Sequence, residues 1–245
     1  MEFWTDPSDV PADFGPSAVT VGKFDGVHSG HRAVISRLCE VAGERGLVPT
    51  VVTFDRNPLS LLRPEACPDP LVSNNQKVEL LADAGVGATL MVTFDRDFSA
   101  LTPEEFVQRI LVDSLHARVL LVGSDFRFGA RGAGTVELLR ALAPEAGFEV
   151  VEIDDVAPEG DRRVSSTWIR ELLTAGDVRT ASEVAARSKD EKAQALLSAI
   201  EACKETQRQE MQRFASDCDR FDNLYYPNEI GVFGADHRPE SFRPG

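Results

Sequence analysis

The sequence has few cysteines, an excess of acidic over basic residues, and no long apolar run. Its cysteines (Cys39, Cys67, Cys203 and Cys218) lie far apart and form no Cys-x-x-Cys pair, so we expect neither disulfides nor a cysteine zinc site. No apolar stretch approaches the length of a membrane span, and the N-terminus lacks the basic and apolar parts of a signal peptide. A cytoplasmic protein without membrane contact is therefore predicted.

The net charge of the chain indicates which classes of binding partner to expect. With 26 basic and 40 acidic residues the chain carries a formal net charge of -14. Nucleic acids and anionic membranes prefer basic surfaces, so neither is expected as a partner. A hydrophobic content of 42% and a charged content of 27% are ordinary for a globular enzyme, which can still hold a small anion in a local pocket.

The first part of the chain, up to residue 187, alternates strand-like and helix-like segments. This alternation predicts an α/β domain over residues 1–187 with a parallel sheet. Predicted strands are 18–21, 48–54, 88–94, 118–123 and 149–154, and predicted helices are 32–45, 74–84, 103–114, 135–146 and 166–175. In a parallel sheet, ligands gather at the carboxyl ends of the strands.

Residues 188–245 differ in character and are predicted to form a helical extension with an irregular tail. Residues 189–221 contain neither Gly nor Pro, and Leu196, Ile200 and Phe214 fall on one helical face. Gln207 and Glu210 interrupt the seven-residue repeat, so a long coiled coil is not expected. The helix could pack on the first domain, mediate a homo-oligomer, or belong to a passive tail.

The most informative stretch runs from residue 19 to residue 31. A strand-like run ends at Gly22, a turn with two more glycines follows, and His28 and His31 open a helix. A glycine turn at a helix N-terminus suits phosphate, because unpaired backbone N–H groups and the helix dipole point at it. Two imidazoles on one face add the electrostatic stabilisation that nucleotidyl transfer requires.

Other interpretations of the histidine pair are weaker. A zinc site needs three or four ligands, and the other histidines are His116 and His237, far along the chain. A purely structural pair at a helix start remains an alternative. The surrounding glycines contribute nothing to packing and favour phosphate binding.

Two further segments are candidates for the same site. Residues 129–135 form a glycine-rich turn before a helix, which is a weak signal alone and is not a Walker A motif. In residues 163–170, the hydroxyls of Ser165, Ser166 and Thr167 can cap a helix. Together with Arg170 they can instead hold triphosphate oxygens, through the forked donors of the guanidinium. The histidine pair favours the second interpretation.

Four motifs in natural order resemble one known family. They are Gly-x-Phe-Asp-Gly-Val-His-x-Gly-His at 22–31, Thr-Phe-Asp-x-x-Pro at 53–58, Gly-x-Asp-Phe-x-Phe-Gly at 123–129, and Val-Ser-Ser-Thr-x-Ile-Arg at 164–170. Together they resemble the FMN adenylyltransferase module of bacterial bifunctional riboflavin kinase/FAD synthetases. The resemblance implies a Rossmann-like nucleotidylyltransferase fold that transfers AMP from Mg-ATP to FMN, giving FAD and pyrophosphate.

The resemblance also implies roles for individual residues. Those expected to bind the nucleotide are Gly22, Phe24, Asp25, Gly26, His28, Gly30, His31, Arg163, Ser166, Thr167 and Arg170. Those expected near the flavin are Asn57, Pro58, Leu62, Phe106, Asp125 and Phe128. Catalysis is expected from His28, His31, Asp125 and Arg170, and no set of protein ligands for a resident metal is predicted.

The chain departs from the family pattern in two places. The family commonly has Pro-His where this chain has Arg56 and Asn57, so a fixed charge stands beside the phosphate site and an amide replaces a titratable ring. The riboflavin kinase module is not recognisable after Arg187, so we do not expect this chain to make its own FMN. Alternative functions are a different acceptor, such as a modified flavin phosphate, transfer from CTP, or a non-catalytic flavin or nucleotide sensor.

Overall fold

The computed structural model describes residues 1–153 and 164–185. Its centre is a six-stranded, wholly parallel sheet in the order β1-β4-β3-β2-β5-β6. The strands are β1 (Glu2–Trp4), β2 (Ser17–Val21), β3 (Val48–Phe54), β4 (Ala88–Val92), β5 (Ala117–Gly123) and β6 (Glu149–Ile153). The prediction of an α/β domain with a parallel sheet is confirmed.

Helices connect the strands. They are α1 (Ser29–Arg45), α2 (Leu59–Leu62), α3 (Asn74–Asp83), α4 (Arg96–Ser99), α5 (Pro103–Phe106), α6 (Val136–Ala146), α7 (Ser166–Thr174) and α8 (Val178–Ala185). A π-helical segment, Val107–Ser114, continues α5. Short 3-10 turns occur at Pro7–Asp9, Pro64–Ala66 and Ala130–Gly132.

The structure adds helices α2, α4 and α8, which were not predicted, and it also differs from the predicted elements elsewhere. Strand β1 was not predicted, because a segment of three residues is too short to show a periodic pattern. Helix α1 begins at Ser29, which makes His28 its N-cap residue and puts His31 in the first turn. The helix expected at 103–114 divides into α5 and the π-helical segment. The predicted extension at 188–245 lies outside the described residues.

The strand order creates a crevice at the centre of the sheet. From β2 the chain proceeds to β3 and β4 on one side, then returns to place β5 and β6 on the other side of β2. The loops that leave β2 and β5 at their carboxyl ends therefore diverge. Such a switch point is where open parallel sheets bind ligands.

The core lies between the sheet and its helices. Val19, Val52, Leu90 and Leu120 project from the central strands and are fully buried. Burying each such side chain contributes roughly 1.5–3 kcal/mol, and truncating Leu120 to Ala would cost about 2–5 kcal/mol because the cavity cannot fully collapse. This packing holds the strand ends, and hence the site loops, in place. No helix in the described part of the chain is long and apolar enough to cross a membrane.

Candidate active site

A cleft of about 1700 Å³ opens at the carboxyl ends of β2, β3 and β5. It brings together residues from all four motifs, although these motifs are spread over most of the described chain. The site residues expected from the sequence that line it are Gly22, Phe24, Asp25, His28, Gly30, His31, Asn57, Asp125, Ser166, Thr167 and Arg170. The structure thus places one cleft where the sequence predicts phosphate and nucleotide binding.

The turn between β2 and α1 has an unusual backbone. Phe24, Gly26 and Val27 all have positive φ angles, of 46°, 82° and 38°. This conformation costs energy for residues other than glycine, and such strain is typical of functional turns. A Cβ atom on Gly22 would lie 2.9 Å from Cε2 of Phe24, so the absence of a side chain at residue 22 lets the Phe24 ring fold back over the strand end.

The turn presents the two histidines as a stacked pair. His28 is 7% exposed, and the centroids of the His28 and His31 rings lie 3.8 Å apart with their planes at 20°. The centroid of the Phe24 ring lies 5.1 Å from that of the His31 ring. A Cβ atom on Gly30 would be 3.3 Å from Nδ1 of His28, so glycine at position 30 leaves room for this ring.

The surroundings of His31 keep its ring neutral. Burial lowers the pKa of His31 well below 6.5, and the positive charges of His28, Lys77 and Lys23 lower it further. At neutral pH His31 can therefore donate a hydrogen bond to a phosphate oxygen without carrying a full charge. Lys23 also lines the cleft and supplies a fixed positive charge there.

The N-termini of helices α1 and α7 both line the cleft. Ser29 and Gly30 begin α1 on one side, and Ser165, Ser166 and Thr167 begin α7 on the other. Unpaired N–H groups and the positive ends of the helix dipoles therefore face one space, an arrangement that binds anions.

Of the three α7 hydroxyls, only that of Ser165 takes one of the roles expected from the sequence in this structure. Ser165 is the N-cap and accepts a hydrogen bond from the Trp168 amide at 3.2 Å, as the capping interpretation predicts. Ser166 Oγ instead donates to the Asp25 carbonyl at 3.0 Å and so joins α7 to the β2–α1 turn. Thr167 is exposed in the cleft, and its expected contact with phosphates stays a prediction.

Asp25 and Arg170 form an ion pair at the cleft wall. The Arg170 guanidinium donates to Oδ2 of Asp25, and its Nε donates to the Asp69 carbonyl at 2.8 Å. Oδ1 of Asp25 accepts from the Leu71 amide at 2.9 Å. The pair therefore ties the β2–α1 turn, α7 and the segment before α3 together. A phosphate that binds Arg170 must share the guanidinium with Asp25.

In the turn after β3, the positive charge of Arg56 is paired with a neighbouring carboxylate. Arg56 donates from Nε and a terminal nitrogen to Oδ2 of Asp55, at 3.0 and 2.8 Å. Burial tends to raise the pKa of Asp55, but the hydrogen bonds from Arg56 and the Phe94 amide outweigh it and the pKa is lowered. Arg56 thus forms a pair with Asp55 rather than a separate cation facing the phosphates. Asn57 lines the cleft, and its Oδ1 accepts from the Leu59 amide at 3.1 Å.

The aromatic residues expected near the flavin lie in the core. Phe106 and Phe128 are 3% and 6% exposed, and their ring centroids are 5.6 Å apart. Phe126 lines the cleft and stacks on Phe128 at 5.6 Å and 12°. Phe126 is therefore the aromatic surface of this motif that a ligand in the cleft can reach, with Phe128 behind it. No signal in the sequence indicates this order, because residues two apart on an extended chain point to the same side.

Of the remaining expected residues, one lines the cleft, three are not part of its lining, and one lies outside the described residues. Asp125 lines the cleft in the turn after β5. Gly26 packs against Leu71, and Leu62 in α2 is 57% exposed. Pro58 precedes α2 directly, and neither it nor Leu62 is part of the cleft lining. Arg163 lies outside the described residues. Their assigned contacts stay predictions.

Comparison with known proteins agrees with these motifs. A family model described as FAD synthetase matches residues 10–168. The bifunctional riboflavin kinase/FMN adenylyltransferase of Escherichia coli strain K12 is 41% identical over 155 residues, which cover 63% of this chain and 49% of that protein. The Pseudomonas fluorescens protein of the same name is 38% identical over 168 residues, covering 69% and 53%. The chain spans about half the length of the curated relatives it matches.

A solved structure shows the same architecture. A Streptococcus pneumoniae protein, described as a macrolide-efflux protein, superposes with a TM-score of 0.63 and 25% identity over 74% of this chain and 58% of that chain. The Rossmann-like nucleotidylyltransferase fold expected from the sequence is thus confirmed. Because the family model covers more than half of the chain, including the first three motifs and the start of the fourth, the chain belongs to the FAD synthetase family.

Proposed function

We propose that this protein transfers AMP from ATP to the phosphate of FMN and releases FAD and pyrophosphate. The observation that carries the proposal is the stacked pair of His28 and His31 at the start of α1, which faces the start of α7 across one cleft. Most of the residues that line this cleft lie within residues 10–168, which the FAD synthetase model matches. The names of the relatives include the same adenylyl transfer.

The chemistry needs positioning more than covalent catalysis. An oxygen of the FMN phosphate attacks the α-phosphorus of ATP, and the bond from that phosphorus to the bridging oxygen of pyrophosphate breaks. The α1 N-terminus with His28 and His31 stabilises charge on the reacting phosphate, and the α7 N-terminus with Arg170 holds the departing pyrophosphate. No enzyme nucleophile is required.

The cleft suits magnesium bound to the nucleotide. Mg²⁺ usually takes one or two carboxylates together with substrate phosphates and water, and Asp125 provides a carboxylate beside the proposed phosphate site. The ion would neutralise charge on the phosphates. Among the described residues, no group of three or more His, Cys, Asp or Glu side chains could hold a metal ion alone.

The direct test is conversion of FMN. The purified chain is incubated with FMN, ATP and Mg²⁺, and FAD and pyrophosphate are measured together. We expect equal amounts of both, and none when riboflavin replaces FMN, because riboflavin lacks the attacking phosphate. Absence of FAD at high enzyme concentration would overturn the proposal.

A second candidate keeps the reaction type and changes the substrates. Asn57 lines the cleft at a position where the family commonly has His, which favours altered recognition of the acceptor or nucleotide. A screen of ATP and CTP against FMN and modified flavin phosphates separates the two candidates. Tight binding of flavin or nucleotide without turnover would instead support a non-catalytic sensor.

We also propose that residues 1–187 form the cytoplasmic catalytic domain and that the helix predicted at 189–221 packs on it or joins two copies. The support is the amphipathic pattern, because such a helix holds its shape in water only when its apolar face is buried. Deleting the residues after Arg187 should lower the melting temperature or convert an oligomer to a monomer. Unchanged stability, mass and activity would identify a passive tail.

A further inference from the structure

Lys77 is a buried lysine beneath the cleft. Lys77 is only 7% exposed, and a lysine is almost never buried to this extent unless its charge is paired. The Nζ atom donates to the carbonyl of Phe54 at 2.9 Å. Phe54 is the last residue of β3, immediately before the turn that carries Asp55 and Asn57. The ammonium therefore holds the point from which that turn departs.

The base of this side chain is itself held in place. Helix α3 begins with a capping box in which Gln76 N donates to Ser73 Oγ at 3.3 Å and Ser73 N donates to Gln76 Oε1 at 2.9 Å. Lys77 follows directly in the first full turn. The segment before α3 is joined to the site through Asp69 and Leu71, as described above. Lys77 thus connects the capped start of α3 to the carboxyl end of β3.

The charges around Lys77 belong to the site. Burial lowers the pKa of the Lys77 ammonium, and the negative charges of Asp25 and Asp55 oppose that effect. Asp25 is the partner of Arg170, and Asp55 is the partner of Arg56. The positive charge of Lys77 also lowers the pKa of His31, as do the charges of His28 and Lys23. One ammonium therefore acts on the β2–α1 turn, the β3 turn and the first turn of α1.

We propose that Lys77 is a positioning residue for adenylyl transfer: its ammonium anchors the end of β3 and balances the carboxylates of Asp25 and Asp55 below the cleft. It acts through Asn57, Asp25 and His31 rather than by touching substrate. The inference rests on the proposed function, because it assigns Lys77 a task in that reaction. Its electrostatic part can be measured without turnover.

The test uses two substitutions that separate charge from hydrogen bonding. Lys77→Met keeps the length and apolar stem but removes the charge and the donor, whereas Lys77→Gln removes the charge and keeps a donor for the Phe54 carbonyl. Arg56→Met is the matched control, because it removes an exposed cation from the same Asp55 carboxylate and Arg56 is not part of the described cleft lining. Melting temperature, kcat and both KM values are measured for each.

We expect both Lys77 variants to lower kcat by on the order of ten- to a hundredfold, since small displacements of reacting groups have effects of this size. Arg56→Met should leave kcat within about twofold. Should Lys77→Met fail to fold, Lys77→Gln provides the same comparison. A lower melting temperature with unchanged kcat and KM would show that Lys77 is only structural and would overturn the proposal.

A second readout is the titration of His31, followed by NMR of the imidazole C2 protons. The chain contains only four histidines, which makes assignment by substitution practical. Removing the Lys77 charge should raise the pKa of His31, and Arg56→Met should not change it. An unchanged His31 titration would overturn the electrostatic role. If the native protein makes no FAD while the His31 titration shifts as expected, the proposed function fails and the charge coupling stands.

Discussion

The imidazole rings of His28 and His31 stack with their centroids 3.8 Å apart, so a charge on one ring acts directly on the other. Two positive charges about 4 Å apart repel each other by about 4 kcal/mol at an effective dielectric constant of 20. Double protonation is therefore disfavoured, in agreement with the lowered pKa of His31. A phosphate in the cleft meets a pair in which at least one ring is neutral and donates a hydrogen bond.

Replacing either histidine by Ala should lower the rate of FAD formation by roughly two to three powers of ten, because each ring stabilises charge on the transferring phosphate. His28 makes no side-chain capping hydrogen bond, so its loss should leave α1 intact. Initial rates and melting temperatures measure the two effects. His116→Ala is the matched control: His116 Nδ1 contacts the Phe14 carbonyl at 2.7 Å, so this variant should lose stability and keep kcat. Equal loss of folding and activity in the His28 and His31 variants would identify a structural pair.

The lowered pKa of His31 predicts an acid-sensitive fold. Below pH 6.5 the unfolded chain takes up a proton on His31 before the folded chain does, so the free energy of unfolding falls as the pH decreases. The contribution is at most about 1.4 kcal/mol per pH unit. Urea unfolding at pH 7.5, 6.5 and 5.5 measures it. His31→Asn should lose less stability than the native chain over this range, and identical pH dependence would contradict the assignment.

Arg170→Lys should lower kcat/KM for ATP by at least about tenfold, because one ammonium cannot replace a fork that holds Asp25, the Asp69 carbonyl and a phosphate. Steady-state kinetics with ATP varied at saturating FMN measure the effect. Arg179→Lys is the matched control on α8, where the arginine side chain is 92% exposed and pairs with Glu183. An active Arg170→Lys enzyme would show that Arg170 serves only to join the loops.

Gly22→Ala should reduce activity more than stability. The new methyl group would come within 2.9 Å of the Phe24 ring, which must then shift from its position 5.1 Å from the His31 ring. Gly43→Ala in α1 is the matched control, since a Cβ there meets nothing within 4 Å and should stabilise the helix by about 0.5–1 kcal/mol. Melting temperatures and initial rates of FAD formation, measured for both variants, separate the effect on stability from the effect on activity. If Gly22→Ala retains native kcat, the Phe24 ring does not hold His31.

Local pattern was enough to predict most of the fold. Apolar runs indicated five of the six strands, and their alternation with helices indicated a parallel sheet whose strand ends share one edge. The same rule placed the turns at Gly22 and Gly123 in one cleft. Strand β1 was missed because its pairing with β4 joins segments far apart in sequence, and three residues carry no pattern of their own.

The sequence by itself determined the glycine turn, the histidine pair and the start of α7, because these depend on short-range backbone conformation and helix capping. Only the tertiary structure decided which partner each polar side chain has. Asp25 and Arg170 are 145 residues apart and meet because the ends of β2 and the start of α7 share the cleft. Burial of Lys77 under β3, and of Phe128 behind Phe126, likewise follows from packing between distant segments. Charge and exposure at the site are set by these long-range contacts, which no local pattern encodes.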